Sequence, residues 1–142
     1  MRFVAMAAAV VLSVLSVGTS VLYAGWDEGV AAFTNKNYQR AVVEFQNVVK
    51  RNPKNWEAYL YLGRAYSELG EYSRAKRSLR NAERRIKGVK PAEKKRVWKQ
   101  LGFVYEKQKK YGKAREAYLK AGETGDAARV ERMTDTRRMK SR

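Results

Sequence analysis

The side chains of this sequence that could do chemistry are carboxylates, lysines and arginines, and the basic ones dominate. Lys and Arg number 31 against 14 Asp and Glu, a net charge of +17, and there is no His and no Cys. Imidazole bases, thiol nucleophiles, disulfides and the usual zinc ligands are thereby removed together. Two carboxylates could form a general acid and base. Here, however, the Asp and Glu fall mostly at outward positions of helical periods, often among Lys and Arg, as solvated charge does. The ten Gly are scattered, so no glycine-rich loop cradles a phosphate. We expect no catalytic, metal-ligating or cofactor-binding residue, and a protein that is not an enzyme.

What remains to these charges is the binding of anions. Residues 1–70 carry 7 basic and 5 acidic side chains, whereas residues 71–142 carry 24 and 9, so almost all of the excess lies in the second half. Arg77, Arg80, Arg84 and Lys87 recur at helical spacing opposite Ala75, Leu79, Ala82 and Ile86, with only Glu83 interrupting. Together with the Lys94, Lys95, Arg96 cluster they form an expected basic surface. It suits anionic lipid headgroups, an acidic envelope component or an acidic protein. Nucleic acid is the usual partner of such a patch, but no recognised nucleic-acid module is visible. The plainer reading is that the charge serves solubility.

The elements that must position these residues are legible in a repeat. Gly29, Tyr38 and Ala41 recur 34 residues later as Gly63, Tyr72 and Ala75, and 39 residues after that as Gly102, Tyr111 and Ala114. Five extra residues have entered between the second and third copies, and Gly88 to Ala92 is the expected connection. Within each copy the apolar spacing is helical, as in Ala75, Leu79, Ala82, Ile86, and no segment alternates as a strand would. Small residues at Gly63 with Ala75, and at Gly102 with Ala114, predict two helices in close contact. One such hairpin cannot bury its own apolar stripe, so neighbours must stack, and about three are the minimum.

This pattern resembles the tetratricopeptide repeat. The second copy carries Tyr59, Leu62, Gly63, Tyr66, then Gly70, Tyr72, Ala75, Leu79 and Ala82; the third carries Trp98, Leu101, Gly102, Tyr105, Tyr111, Ala114, Tyr118 and Ala121. The first copy is weaker in its first helix, with Gly25, Glu28, Gly29 and Ala32, but has Ala41, Phe45, Val48 and Pro53 in its second half. The resemblance implies an all-α, right-handed α-solenoid of three helix-turn-helix repeats, at about residues 22–55, 56–89 and 93–126. A capping helix at 126–133, with Asp126 as N-cap, would close it. The domain would span 25–133, and 134–142 would be a frayed basic tail.

The resemblance also implies a concave groove lined by the first helix of each pair. Transferred to this chain, its residues are Trp26, Val30 and Phe33, then Leu60, Arg64 and Ser67, then Lys99, Phe103 and Lys107. Such a groove would be aromatic at one end and cationic at the other, and would take an extended or helical segment of another protein. Trp26, Phe33 and Phe103 are equally readable as core between repeats. A clamp of Lys and Asn on a chaperone's terminal carboxylate, one known use of the family, would fall at Trp26, Val30, Tyr61, Arg96 and Gln100. Only Arg96 is of a suitable type, so that use is not expected.

Ahead of the repeats, Arg2 precedes a run from Phe3 to Ala24 without a charged side chain. This is the pattern of an export signal ending near Ala24 or Ser20, and alternatively of an uncleaved anchor. Residues 1–24 are read as one or the other, which also argues against nucleic acid as the partner. The expected function is a non-catalytic interaction scaffold of a bacterial cell envelope, periplasmic or anchored in the inner membrane. The alternative is an accessory subunit of a membrane complex held by a retained helix.

Overall fold

The computed structural model describes residues 25–140, and the leader assigned to 1–24 lies outside them. Seven α-helices follow: α1 Trp26–Thr34, α2 Tyr38–Arg51, α3 Trp56–Glu68, α4 Tyr72–Arg85, α5 Pro91–Lys107, α6 Tyr111–Ala121 and α7 Thr124–Lys140. There is no strand among the described residues. Each helix packs chiefly on its neighbours in sequence, and α3 also touches α5. Helices α1, α3 and α5 thus share one layer, α2, α4 and α6 the other, and α7 closes the end against α6.

The repeated glycines explain the hairpins. A Cβ on Gly63 would lie 2.6 Å from Leu79 Cγ, and one on Gly102 would lie 2.6 Å from Tyr118 Cδ1. On Gly29 it would meet the Phe45 ring at 3.0 Å. In each pair, then, a buried side chain sixteen positions further along seats on a bare backbone. Ala41, Ala75 and Ala114 are all wholly buried, and the Ala75 carbonyl lies 3.3 Å from a Cβ on Gly63. The helices can approach because neither presents bulk where they cross.

The first helix of each pair ends in the same turn. Lys36, Gly70 and Lys109 occupy equivalent positions with φ of 60°, 74° and 58°. At the third, Lys110 N–H donates to the Tyr105 carbonyl at 2.8 Å and Lys109 N–H to the Glu106 carbonyl at 2.8 Å, a left-handed C-terminal cap. Asn37 and Asn55 then start α2 and α3, their side-chain oxygens accepting from Arg40 N–H and Ala58 N–H. Glu28 accepts from Gly25 N–H at 2.9 Å, and these backbone bonds hold its carboxyl below the usual range.

Three boundaries differ from the sequence reading. Of the expected connection Gly88 to Ala92 only Gly88, Val89 and Lys90 stay outside a helix, because Pro91 takes the first position of α5, where its missing N–H costs nothing, and the helix begins there. Lys94, Lys95 and Arg96 therefore sit on the early turns of α5. The last helix does not end at 133 but continues to Lys140, with Arg137, Arg138 and Lys140 in its final turn, where cations favour the helix dipole. Nor is Asp126 its N-cap, since the helix starts at Thr124 and Asp126 lies in the first turn, facing Arg129 at 2.9 Å. No helix of the described residues is long and apolar enough to cross a membrane.

Candidate functional site

The face shared by α1, α3 and α5 divides into an aromatic and a cationic part. Trp26 meets Phe45 and Tyr61 edge-on at 5.6 Å each, Phe33 meets Tyr61 at 5.7 Å, and Phe45 stacks on Tyr61 at 5.1 Å. Trp26, Val30 and Phe33 are half-buried and packed against the core. They thus seal α1 onto α3 while leaving part of each ring or methyl on the face.

Arg64 stands beside this cluster. Its guanidinium lies over Phe33 at 4.6 Å and over Tyr61 at 5.3 Å from the ring centroids. Cations are drawn to such ring faces, and two of them hold Arg64 in place without consuming its charge. Among the described residues no carboxylate lies within 4 Å of it. Arg64 opens onto a recess of about 260 Å³ lined also by Leu60, Arg96, Lys99 and Gln100.

The other cations there are partly compensated. Arg96 lies 3.3 Å from Glu57 on α3 and 3.6 Å from Glu93 on its own helix. Lys99 binds Glu123, ahead of α7, at 2.8 Å, and this bond raises its pKa. Further along α5, Lys107 lies over the half-buried Phe103 ring at 5.2 Å.

Not every expected groove residue is available to a partner. Leu60 is 1% exposed and belongs to the core beneath the recess. Ser67 is likewise buried and donates back to the Gly63 carbonyl at 2.9 Å. Of the clamp positions, Trp26 and Tyr61 are locked against each other, leaving Arg96 and Gln100 on the recess.

The expected basic surface is not one continuous patch. Arg77 is exposed on α4, but Lys87, expected to continue the same helical stripe, is exposed in the turn beyond it, because α4 ends at Arg85. Arg80 instead pairs with Glu83 and donates to Tyr105 Oη at 2.8 Å, and the Glu83 bond above all raises its pKa. Arg84 donates to Asn81 Oδ1 at 2.6 Å. Arg96 faces the recess on the opposite layer. Sequence spacing places all of these residues but Lys87 correctly on helices, and it does not show which cations have neighbours.

A polar lock at the end of α5 escaped the sequence reading altogether. Glu106 accepts from Tyr118 Oη at 2.9 Å and from both guanidinium nitrogens of Arg129, which also reaches Asp126. The Arg129 bond, more than any other influence, holds the Glu106 carboxyl below its ordinary value. Burial and the bond to Glu106 push the Tyr118 phenol up. The only sequence signal was the presence of opposite charges 23 positions apart, which no local pattern singles out.

Stacked helical hairpins with a shared inner face define a solenoid of the helix-turn-helix repeat class. Two family models, both described as tetratricopeptide repeat, match residues 32–88 and 62–128, and the chain belongs to the tetratricopeptide repeat family. A comparison with curated proteins finds no match. Among solved structures, the chain is similar to the first such domain of human RPAP3, with a TM-score of 0.72 at 13% identity, covering 81% of this chain and 95% of that one. It is similar to the Sgt2 domain from Aspergillus fumigatus, with a TM-score of 0.68 at 23% identity over 80% and 78% of the two chains. The second domain of human RPAP3, solved with the HSP70 peptide SGPTIEEVD, gives a TM-score of 0.68 at 13% identity over 76% and 92%.

Proposed function

We propose that this domain is a non-catalytic scaffold that holds a segment of another protein along the face of α1, α3 and α5. One observation carries the reading: Arg64 is prepositioned over Phe33 and Tyr61, has no carboxylate partner among the described residues, and opens onto a recess shared with Arg96, Lys99 and Gln100. A carboxylate of an incoming segment would complete Arg64, while apolar side chains of the segment would cover the exposed edges of Trp26, Phe33 and Phe103. The structural neighbour solved with an acidic HSP70 peptide supports the general mode. Trp26 and Tyr61 at clamp positions speak for a ligand different from that peptide.

The uncharged run at residues 3–24 supports a place of action beyond the inner membrane of a bacterial cell, either free or anchored. The partner segment would then be an envelope protein, and a retained leader would make the domain an accessory subunit of a membrane complex. A reporter joined after Arg142 should be active outside the cytoplasm; activity confined to the cytoplasm would remove this part of the reading.

For the groove itself, the test is titration with a synthetic peptide bearing a free terminal carboxylate, two Glu and a Leu, against the same peptide amidated at its end. Arg64→Gln should weaken binding of the free-acid form about tenfold, the value of one charge-assisted contact, and weaken the amide less. Equal affinity of parent and variant would place the binding elsewhere.

A further inference from the structure

Helices α6 and α7 run as neighbours, but α6 has 11 residues and α7 has 17. Six extra residues at 1.5 Å each carry α7 about 9 Å beyond its support. Burial follows this overhang, since Ala127 and Val130 are the buried residues of α7 and Glu131 onward is exposed apart from a half-buried Thr134. Between the overhang and the turn joining α5 to α6 lies a recess of about 620 Å³.

Its lining is strongly of one sign. Lys109 and Tyr111 contribute from the turn, and Arg132, Met133, Arg137 and Lys140 from one face of α7. Arg129, at the inner edge, is occupied by Glu106 and Asp126. Among the described residues none of Lys109, Arg132, Arg137 or Lys140 has a carboxylate within 4 Å. The nearby Glu131 is turned away to Arg115 at 3.3 Å. Four uncompensated cations thus converge around a floor of Tyr111 and Met133.

We propose that this recess is a second binding surface, separate from the groove, and that its occupant is an acidic segment of another protein carrying an apolar residue. Charge complementarity selects an acidic partner and excludes a second copy of this chain, which is itself at +17. Shape and pattern select a peptide over a lipid surface. The site is concave, whereas a bilayer is flat. The apolar residues of the overhang, Met133 and Met139, stand about 120° apart around the helix, so α7 offers no apolar stripe to insert. From Arg129 to Lys140 the lining covers about 16 Å of helix, the length of about five extended residues.

The experiment uses the full chain and a labelled peptide of four Glu around one Leu, amidated so that it offers the groove no terminal carboxylate. Arg132→Glu with Arg137→Glu should lower its affinity at least about tenfold, with helicity unchanged by circular dichroism. Lys109→Gly should weaken it in the same direction while keeping the turn, since the second repeat already has Gly70 at this position. Arg77→Glu on α4 with Lys87→Glu in the turn after it makes the same change in net charge and should alter affinity less than twofold. Arg64→Gln should alter the affinity of this probe less than twofold while weakening the free-acid peptide about tenfold, so the two sites are tested apart. Equal losses from the α7 pair and the Arg77, Lys87 pair would overturn the proposal in favour of diffuse attraction. Co-sedimentation with phosphatidylglycerol vesicles that depends on Arg132 and Arg137, without peptide binding, would overturn it in favour of a membrane surface.

Discussion

The first and third repeats build the same contact and protect it by opposite means. In both, an aromatic ring seats on a glycine, Phe45 on Gly29 and Tyr118 on Gly102. Around Phe45 the neighbours are other rings, Trp26 and Tyr61, with Arg64 on the outside. Around Tyr118 they are charges, with the phenol donating to Glu106 and Glu106 tied to Arg129 of α7. A phenol at the knob position can recruit a carboxylate where a phenyl cannot, so one atom separates an apolar seal from a polar lock. The contact around Phe45 should accordingly be indifferent to pH, leaving Glu28 at the start of α1 as the titrating support of that end, whereas the contact around Tyr118 should not.

The sharpest way to break the comparison is Phe45→Ala. Phe45 is wholly buried, and removing its ring should cost about 3–5 kcal/mol, enough to unfold the first repeat ahead of the rest in chemical denaturation followed by Trp26 fluorescence. A loss under 1 kcal/mol would show that Trp26 and Tyr61 alone hold α1 in place.

Adding a methyl to the two glycines comes next. Gly102→Ala should overpack against the Tyr118 ring and cost about 1–3 kcal/mol, more than Gly29→Ala, where the ring stands 3.0 Å away instead of 2.6 Å. Reversal of that order in paired thermal melts would mean that Tyr118 yields more easily than its lock implies.

The polar lock has a pH signature of known sign. Because the folded-state pKa of Glu106 is depressed from 4.5, its contribution is present above that value and is lost as pH falls through the lower folded value. Tm should therefore drop on acidification below about pH 4.5, and drop less in Glu106→Gln, with far-UV circular dichroism as the readout. Identical pH profiles would assign the acid sensitivity to other carboxylates.

The smallest effect has the opposite sign. Lys109 holds a left-handed conformation that glycine adopts freely, so Lys109→Gly should stabilise the chain by about 0.5–1 kcal/mol even as it weakens the recess. A destabilised variant would mean that the Lys109 side chain supports the fold.

Helices and their faces were legible because both follow from local periodicity. A side chain at i meets those at i+3 and i+4 whatever the rest of the chain does. The repeat marks Gly102 and Ala114 as a place where two helices approach, but not that the Tyr118 ring is what seats on the glycine. Two readings failed where composition stood in for energetics. Composition assigns Pro91 to a connection, although a proline at a helix start loses nothing. The want of an apolar period assigns 134–142 to a tail, although the helix continues to Lys140, where terminal cations favour its dipole.

By itself, then, the sequence determined the period, the helix count of each repeat, the glycine contacts and the excess of positive charge. Which cations are neutralised was decided only by the tertiary structure. Arg96 finds Glu57 at a separation of 39 residues, Lys99 finds Glu123 at 24, and Arg129 finds Glu106 at 23. No local rule links such pairs, because a charge is matched by whatever the packing of whole helices brings within about 4 Å of it. The same packing leaves Arg64 over two rings and opens the recess under α7. The places where this protein has charge to spare for a partner are therefore properties of the stack.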